Sequence, residues 1–278
     1  MGKSDKSDNI YKRLLVEINK IYNEDCLKTM LRMKDNFIDL TITSPPYDNL
    51  RNYNGYSFEF ERVAKELFRV TKKGGVVVWV VGDSVIKGSE SGTSFRQALF
   101  FMECGFRLHD TMIYKKNSYP FPPSNRYYQQ FEYMFIFSKG KPNTFNGLRQ
   151  KTKWRKNSKE ISTTRQKNGT TKEMKYEKGK ADRLKDNIWD ISTGYMRSTK
   201  DKIAYNHSAI FPEQLASDHI ITWSNEKDLI YDCFMGSGTT AKMAILNNRN
   251  YIGSEISKEY VDITEKRLKQ YLTQTKLL

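Results

Sequence analysis

The sequence predicts an α/β fold, a mostly parallel sheet covered on both faces and interrupted by a basic insertion, and two observations carry that prediction. Short apolar runs alternate with helical patterns along most of the 278 residues, which is the rhythm of strands joined by crossover helices. The rhythm breaks across residues 139–206, where aliphatic residues become scarce and Lys, Arg, Asn, Ser, Thr and Gly dominate. The length suits one large domain carrying an insertion, so 1–138 and 207–278 read as two halves of one domain, with 139–206 as the interruption.

In chain order, Leu27 to Met33 reads as a short helix after Asp25. The apolar run Ile38 to Thr43 reads as a buried strand, stopped by Ser44-Pro45-Pro46-Tyr47 because proline brings no N–H to a ladder. Phe60, Val63, Ala64, Leu67 and Phe68 recur at helical spacing within 59–70, and Gly74-Gly75 then stops that helix and opens the strand Val76 to Val81. Phe95 to Glu103 is a helix, and Leu108 to Tyr114 and Phe131 to Phe137 are strands. After the insertion come a helix over Glu213 to Trp223, a strand over Leu229 to Cys233, a helix over Thr239 to Asn247, a strand over Tyr251 to Ser254 and a closing helix over Lys258 to Leu272. No internal repeat is visible.

The charge is uneven. The chain holds 47 Lys+Arg against 32 Asp+Glu, a net +15. From Lys139 to Lys185, sixteen basic residues face four acids, so +12 of that excess lies in 47 residues. A segment so basic is either a solvated loop or the footprint of a polyanion, and its confinement to one stretch of an otherwise near-neutral chain favours nucleic acid. Lys151, Lys153, Arg155, Lys156, Arg165 and Lys167 are the candidate contacts, with Arg126 and Tyr127 in the aromatic, proline-rich stretch just before. Three widely spaced cysteines and three histidines exclude a disulfide scaffold and a zinc module, so no metal is expected. With mean hydropathy −0.72 and no long apolar run or apolar leader, a protein of the cytoplasm is expected, with no membrane partner.

Two motifs carry chemistry. In Leu229 to Thr240 a glycine-rich turn joins a strand to a helix, where glycine lets backbone approach a ligand and a helix start offers unpaired N–H groups. The turn lacks the spacing of a dinucleotide site or a P-loop. About twenty residues on, Glu255 ends the next strand, placed to accept from ribose hydroxyls as in nucleoside-type cofactor sites. The second motif is Ser44 to Tyr47, whose prolines fix backbone and leave carbonyls outward beside an aromatic ring. Such a turn accepts from an exocyclic amine and stacks on its ring, as an enzyme acting on a flipped base requires.

Together, Ser44-Pro45-Pro46-Tyr47 and Asp232-x-Phe234-x-Gly236-Ser237-Gly238-Thr239-Thr240 resemble the amino-methylating DNA methyltransferases, and the motif order, proline turn first and glycine turn last, is similar to their beta group. The resemblance extends over Gly82-Asp83, Glu132 to Lys139, Asn187 to Trp189, His207 to Pro212 and Arg249 to Glu255. It implies a Rossmann-like, seven-stranded methyltransferase sheet in circularly permuted order, S-adenosylmethionine as cofactor and double-stranded DNA as partner. It implies catalytic roles for Ser44, Pro45, Pro46 and Tyr47, and cofactor contacts from Asp25, Phe211, Asp232, Phe234, Gly236, Ser237, Gly238, Thr239 and Glu255. It makes 139–206 a target-recognition insertion. Serine at position 44 is more often associated with N4 of cytosine than with N6 of adenine, although members of both kinds carry it. Cytosine C5 chemistry needs a Pro-Cys nucleophile, and no cysteine here follows a proline. Cys233 and Ser208 stand where relatives commonly have proline, and neither change removes a polar group. A rival reading is a DNA-binding protein that has lost catalysis. The residues leave open the recognition sequence, a cognate restriction endonuclease, monomer against homodimer, and a bacterial against a phage origin.

Overall fold

A computed structural model of the chain describes residues 16–46, 58–117, 125–151, 162–174 and 182–274. Its elements run β1 (Lys20–Tyr22), α1 (Cys26–Leu31), β2 (Ile38–Thr43), α2 (Phe60–Val70), β3 (Thr71–Val81), the hairpin β4 (Val85–Ile86) and β5 (Ser89–Glu90), α3 (Thr93–Glu103), β6 (Arg107–Lys116) and β7 (Phe131–Ser138). There follow β8 (Arg149–Lys151), β9 (Ser162–Arg165), β10 (Thr171–Met174), β11 (Asp182–Leu184), β12 (Ile188–Ile191), a 3-10 turn (Lys202–Asn206), α4 (Glu213–Trp223), β13 (Leu229–Asp232), α5 (Thr239–Leu246), β14 (Asn250–Ser254) and α6 (Lys258–Gln274).

The main sheet has eight strands among the described residues, ordered β1, β14, β13, β2, β3, β7, β6, β12. The expected seven are exceeded because strands of three and four residues, too short to read as apolar runs, join both edges: Lys20–Tyr22 beside β14 and Ile188–Ile191 beside β6. All pairings are parallel except those of β7, which runs antiparallel to β3 and β6. Among the described residues no helix separates β6 from β7, and the two consecutive strands pair antiparallel, without the crossover that a parallel pair needs.

The glycine pair does not stop a helix. β3 begins at Thr71, directly after α2, and Gly74-Gly75 form an irregularity inside it, where the pairing with β2 jumps from Ile38↔Thr71 to Leu40↔Val76. A Cβ on Gly75 would lie 2.9 Å from the Asp39 carbonyl, so only glycine lets the two strands close up.

The core explains the apolar runs. Ile38, Leu40, Ile42 and the whole of Val76 to Val81 are buried, each such side chain contributing about 1.5–3 kcal/mol. α2 turns Val63, Ala64, Leu67 and Val70 inward, the face its periodicity marked. On the same side Trp79 sits 5.0 Å from Phe101, which stacks on Phe137 at 4.5 Å, and the Trp79 indole donates to Gln97 Oε1 at 2.8 Å.

Contacts divide the chain into two compact units, 1–146 with 187–278, and 147–186. The second is narrower than the expected 139–206, because backbone at both ends of that interval is recruited by the larger unit: Gly74 N–H donates to the Lys139 carbonyl, and 188–191 adds a strand to the main sheet. Within 147–186, β8 pairs with β11 and β9 with β10, both antiparallel, the latter closed by a turn with Gly169 at φ +82°.

Candidate active site

The glycine turn follows β13 and is shaped by its neighbours. Gly236 and Gly238 adopt φ of +53° and +79°, the left-handed region that favours glycine. A Cβ at Gly236 would stand 2.9 Å from His207 Nε2, and one at Gly238 would stand 2.3 Å from Thr264 Cγ2. Thr264, buried in α6, donates to the Gly236 carbonyl at 2.8 Å.

Asp232, at the end of β13, is a clasp. Its Oδ1 accepts from Thr43 Oγ1 at 2.7 Å and from Phe234 N–H at 3.0 Å, while Oδ2 accepts from Thr240 Oγ1 at 2.7 Å. One buried carboxylate therefore ties the last residue of β2, and with it the proline turn, to both ends of the glycine turn. Burial pushes this carboxyl above its ordinary value, against the pull of those three donors. Cys233 beside it is buried, and that burial drives its thiol far above the usual range, so it is inert.

Glu255 directly follows β14 and faces the same turn. Its Oε2 accepts from Gly236 N–H at 2.8 Å and its Oε1 from Ser257 N–H at 2.9 Å. Burial raises this carboxyl too, with the two N–H donors opposing. Asp25, after β1, caps α1 by accepting from Leu27 N–H at 2.7 Å.

These residues converge. A cavity of about 780 Å³ is lined by Asp25, Ser44, Pro45, Pro46, Phe211, Asp232, Phe234, Gly236, Ser237, Thr239 and Glu255. Of the residues the motifs singled out, Gly238 shapes the turn without lining the cavity, and Tyr47 lies outside the described residues. Asp83 is elsewhere: it accepts from Ser94 N–H at 2.9 Å and holds the start of α3. His207 lines the wall, with its ring 4.1 Å from that of Tyr260 and its Nδ1 accepting from Ala209 N–H.

Two sets of residues escaped the sequence reading. The first is a buried ionic network beneath the glycine turn. Arg267, 1% exposed, donates to Asp201 Oδ2 at 2.7 Å, Glu213 Oε1 at 2.6 Å, the Ser237 carbonyl at 2.8 Å and Thr239 Oγ1 at 3.0 Å. Lys242 donates to the same two acids at 2.8 and 2.6 Å. Burial would lift the Asp201 carboxyl, but hydrogen bonds from Lys242, Arg267 and Tyr271 outweigh it and hold the value down to about 2. The second set, Tyr114, Lys116, Glu132 and Thr193, lines the cavity from β6, β7 and the segment after β12. No local pattern marks either set, since the partners are far apart in sequence.

The candidate nucleic-acid contacts divide. Lys151, Arg165 and Lys167 are exposed on the 147–186 unit, whereas Lys153, Arg155 and Lys156 lie outside the described residues. Arg126 donates to the Gly88 carbonyl and faces Glu90 at 3.9 Å, and Tyr127 is 99% exposed and outside the cavity. No helix of the described residues is long and apolar enough to cross a membrane.

Comparison with known proteins fits this arrangement. Residues 38–266 match the family N6_N4_Mtase, described as DNA methylase. The chain is 62% identical over 253 residues to the orphan methyltransferase M.BamHII of Bacillus amyloliquefaciens, covering 86% of this chain and 93% of that one. Among solved structures, the fold is similar to PvuII DNA methyltransferase (cytosine-N4-specific), with TM-score 0.65 at 22% identity, covering 91% of this chain and 87% of that one. It is also similar to the M1.HpyAVI–SAM complex, with TM-score 0.59 at 24% identity over 90% of this chain and 98% of that one.

Proposed function

We propose a specific activity for this chain, which belongs to the N6/N4 family of DNA methylases: transfer of a methyl group from S-adenosylmethionine to the exocyclic N4 amine of cytosine in double-stranded DNA. The observation that carries the proposal is the meeting of the proline turn and the glycine turn in one cavity, joined by the Asp232 clasp.

The cavity fits the cofactor. Its volume, about 780 Å³, is that of a small-molecule site. Glu255 is pinned by backbone N–H groups in an orientation that leaves lone pairs for ribose hydroxyls, and the missing side chain of Gly236 lets the turn close against His207 in the cavity wall. Asp25 lines the end near β1, placed to accept from the adenine amine, and Phe211 and Phe234 supply apolar walls. S-adenosylmethionine, when bound there, supplies an electrophilic methyl group on sulfur.

The chain's own residues then have to prepare the nucleophile. An exocyclic amine is weak because its lone pair is delocalised into the ring. The Ser44 hydroxyl and the Pro45 carbonyl accept from its N–H groups, draw the lone pair out of the ring and aim it at the methyl group, while Tyr47 stacks on the base. Positioning and electrostatics supply the acceleration, and no covalent enzyme intermediate is needed. The basic 147–186 unit supplies the counter-charge for the phosphate backbone through Lys151, Arg165 and Lys167. Serine at position 44 supports cytosine over adenine.

The test is to incubate the protein with unmethylated bacterial DNA and S-adenosylmethionine, digest the DNA to nucleosides and identify the product by mass spectrometry. N4-methylcytosine is expected. N6-methyladenine would transfer the activity to the other base, and no methylated nucleoside from a sample that binds both ligands would leave a DNA-binding protein without catalysis.

A further inference from the structure

The cavity wall on the β6 side is polar in a way the cofactor does not explain. Tyr114 and Lys116 stand two residues apart on β6 and so project from one face of the sheet, and Glu132 is the cross-strand partner of Tyr114 on that face. Lys116 Nζ lies 2.9 Å from Glu132 Oε1, the two side chains 22% and 19% exposed. Tyr114 is 3% exposed, and its hydroxyl lies beside Thr193 without completing a hydrogen bond of acceptable geometry. A buried hydroxyl left in that state costs about 1–3 kcal/mol, so a donor lining a cavity calls for an acceptor on a ligand.

The position of this wall says which ligand. Glu255 and the glycine turn flank β2 on one side, whereas β7 and β6 lie two and three strands away on the other, about 10 and 14 Å at ordinary strand spacing. That gap is the width of a planar base held with its amine at Ser44, plus the reach of a lysine side chain. The proline turn presents acceptors, Ser44 Oγ and carbonyls, which suit the amine. The remaining ring positions beside the amine are acceptors and need donors.

We infer that Lys116, oriented by Glu132 and accompanied by the Tyr114 hydroxyl, holds the ring acceptors of the extruded base and so helps to set which base is methylated. The inference rests on the DNA amino-methylation proposed above. Pairing with Glu132 cancels the charge of Lys116, which suits a neutral base edge better than a phosphate. In cytosine the amine is followed by N3 and the O2 carbonyl, two adjacent acceptors for two donors. In adenine it is followed by N1 and an apolar C–H, which would leave one buried donor unpaired. The wall therefore favours cytosine for a reason independent of Ser44.

The experiment uses the full chain as wild type, Lys116→Met, Lys116→Arg and Tyr114→Phe. Four quantities are measured: the single-turnover methylation rate on unmethylated DNA, the S-adenosylmethionine dissociation constant, the slope of DNA affinity against salt, and the melting temperature. Lys116→Met is expected to lower the rate about 100-fold, the usual effect of removing one preorganised donor. Its cofactor affinity, salt slope and melting temperature should stay at wild-type values, and Lys116→Arg should restore part of the rate. Tyr114→Phe should lower the rate about tenfold, a loss of about 1.4 kcal/mol. A wild-type rate in Lys116→Met overturns the inference. So does a parallel loss of cofactor affinity, which would place Lys116 in the cofactor wall, or a salt slope reduced by about one, which would place it on a phosphate. N6-methyladenine from the wild type overturns the cytosine match alone, because the Lys116→Met rate still decides whether Lys116 holds the base. No methylated nucleoside from the wild type overturns both readings.

Discussion

Charged residues do opposite work in two regions of this molecule. Beneath the glycine turn, Arg267 and Lys242 meet Asp201 and Glu213 one for one, with Arg267 fully shielded from solvent. On the 147–186 unit, Arg149 and Arg183 are paired with Asp182 and Asp186, but Lys151, Arg165 and Lys167 stand exposed. Matched charges out of water fix backbone, because each would be costly alone. Exposed charges in excess fix nothing and present a field to a polyanion. The same residue types thus separate into a scaffold for a turn and an exposed basic surface, the one proposed above to face phosphates.

The sharpest way to break this contrast is Arg267→Met, which leaves two shielded acids to share the single cation Lys242. It is expected to cost about 3–5 kcal/mol, read as a fall in the urea midpoint, and to weaken cofactor binding because Ser237 and Thr239 lose their anchor. An unchanged midpoint would show that the network contributes no stability. Glu255→Gln keeps shape and removes charge at the turn itself. The expected result is a 10- to 100-fold weaker S-adenosylmethionine affinity by calorimetry, about 1.4–2.7 kcal/mol, with DNA affinity unchanged.

Acid separates the two regions further. Asp201 is held at about 2, below its unfolded value of about 3.9, so its contribution to stability is present in full above that unfolded value. That contribution falls away as pH drops from about 4 towards about 2, since the unfolded chain takes up a proton that the folded chain refuses. Urea midpoints between pH 6 and pH 2 should therefore drop less for Asp201→Asn than for wild type. On the exposed side, replacing Lys151, Arg165 and Lys167 by Gln should leave stability and cofactor affinity unchanged. It should flatten the salt dependence of DNA affinity by about 0.9 for each phosphate that the variant no longer neutralises. The smallest effect is expected from Tyr127→Ala, a loss of DNA affinity of about threefold, under 1 kcal/mol, in keeping with a fully exposed ring. A large fall in melting temperature would show that this ring packs structurally.

Much of the site was legible because its chemistry is local. Ser44 to Pro46 and Asp232 to Thr239 declare a stopped strand and a glycine turn within a few residues each, and all of them but Gly238 line one cavity. The apolar strands were legible for the same reason, as Val76 to Val81 shows. What failed to show was short, or paired at a distance. The strand Ile188–Ile191 is only four residues long and owes its state to β6. Arg267 reads as one more surface charge on an amphipathic helix until Asp201, 66 residues earlier, is brought against it. Lys116 and Glu132 look like ends of strands, and only the hairpin closes them into a pair.

By itself the sequence determined the elements, the two turns and the location of excess charge, because apolar period, proline, glycine and charge act through neighbours along the chain. The tertiary structure alone decided that Asp232 joins the two turns, that the sheet has eight strands among the described residues, that 147–186 is the separate unit, and that a neutral Lys116–Glu132 pair faces the cavity. The physical reason is that burial and pairing are properties of residues brought together across the fold, and a carboxylate or a lysine carries no mark of its partner until the sheet supplies one.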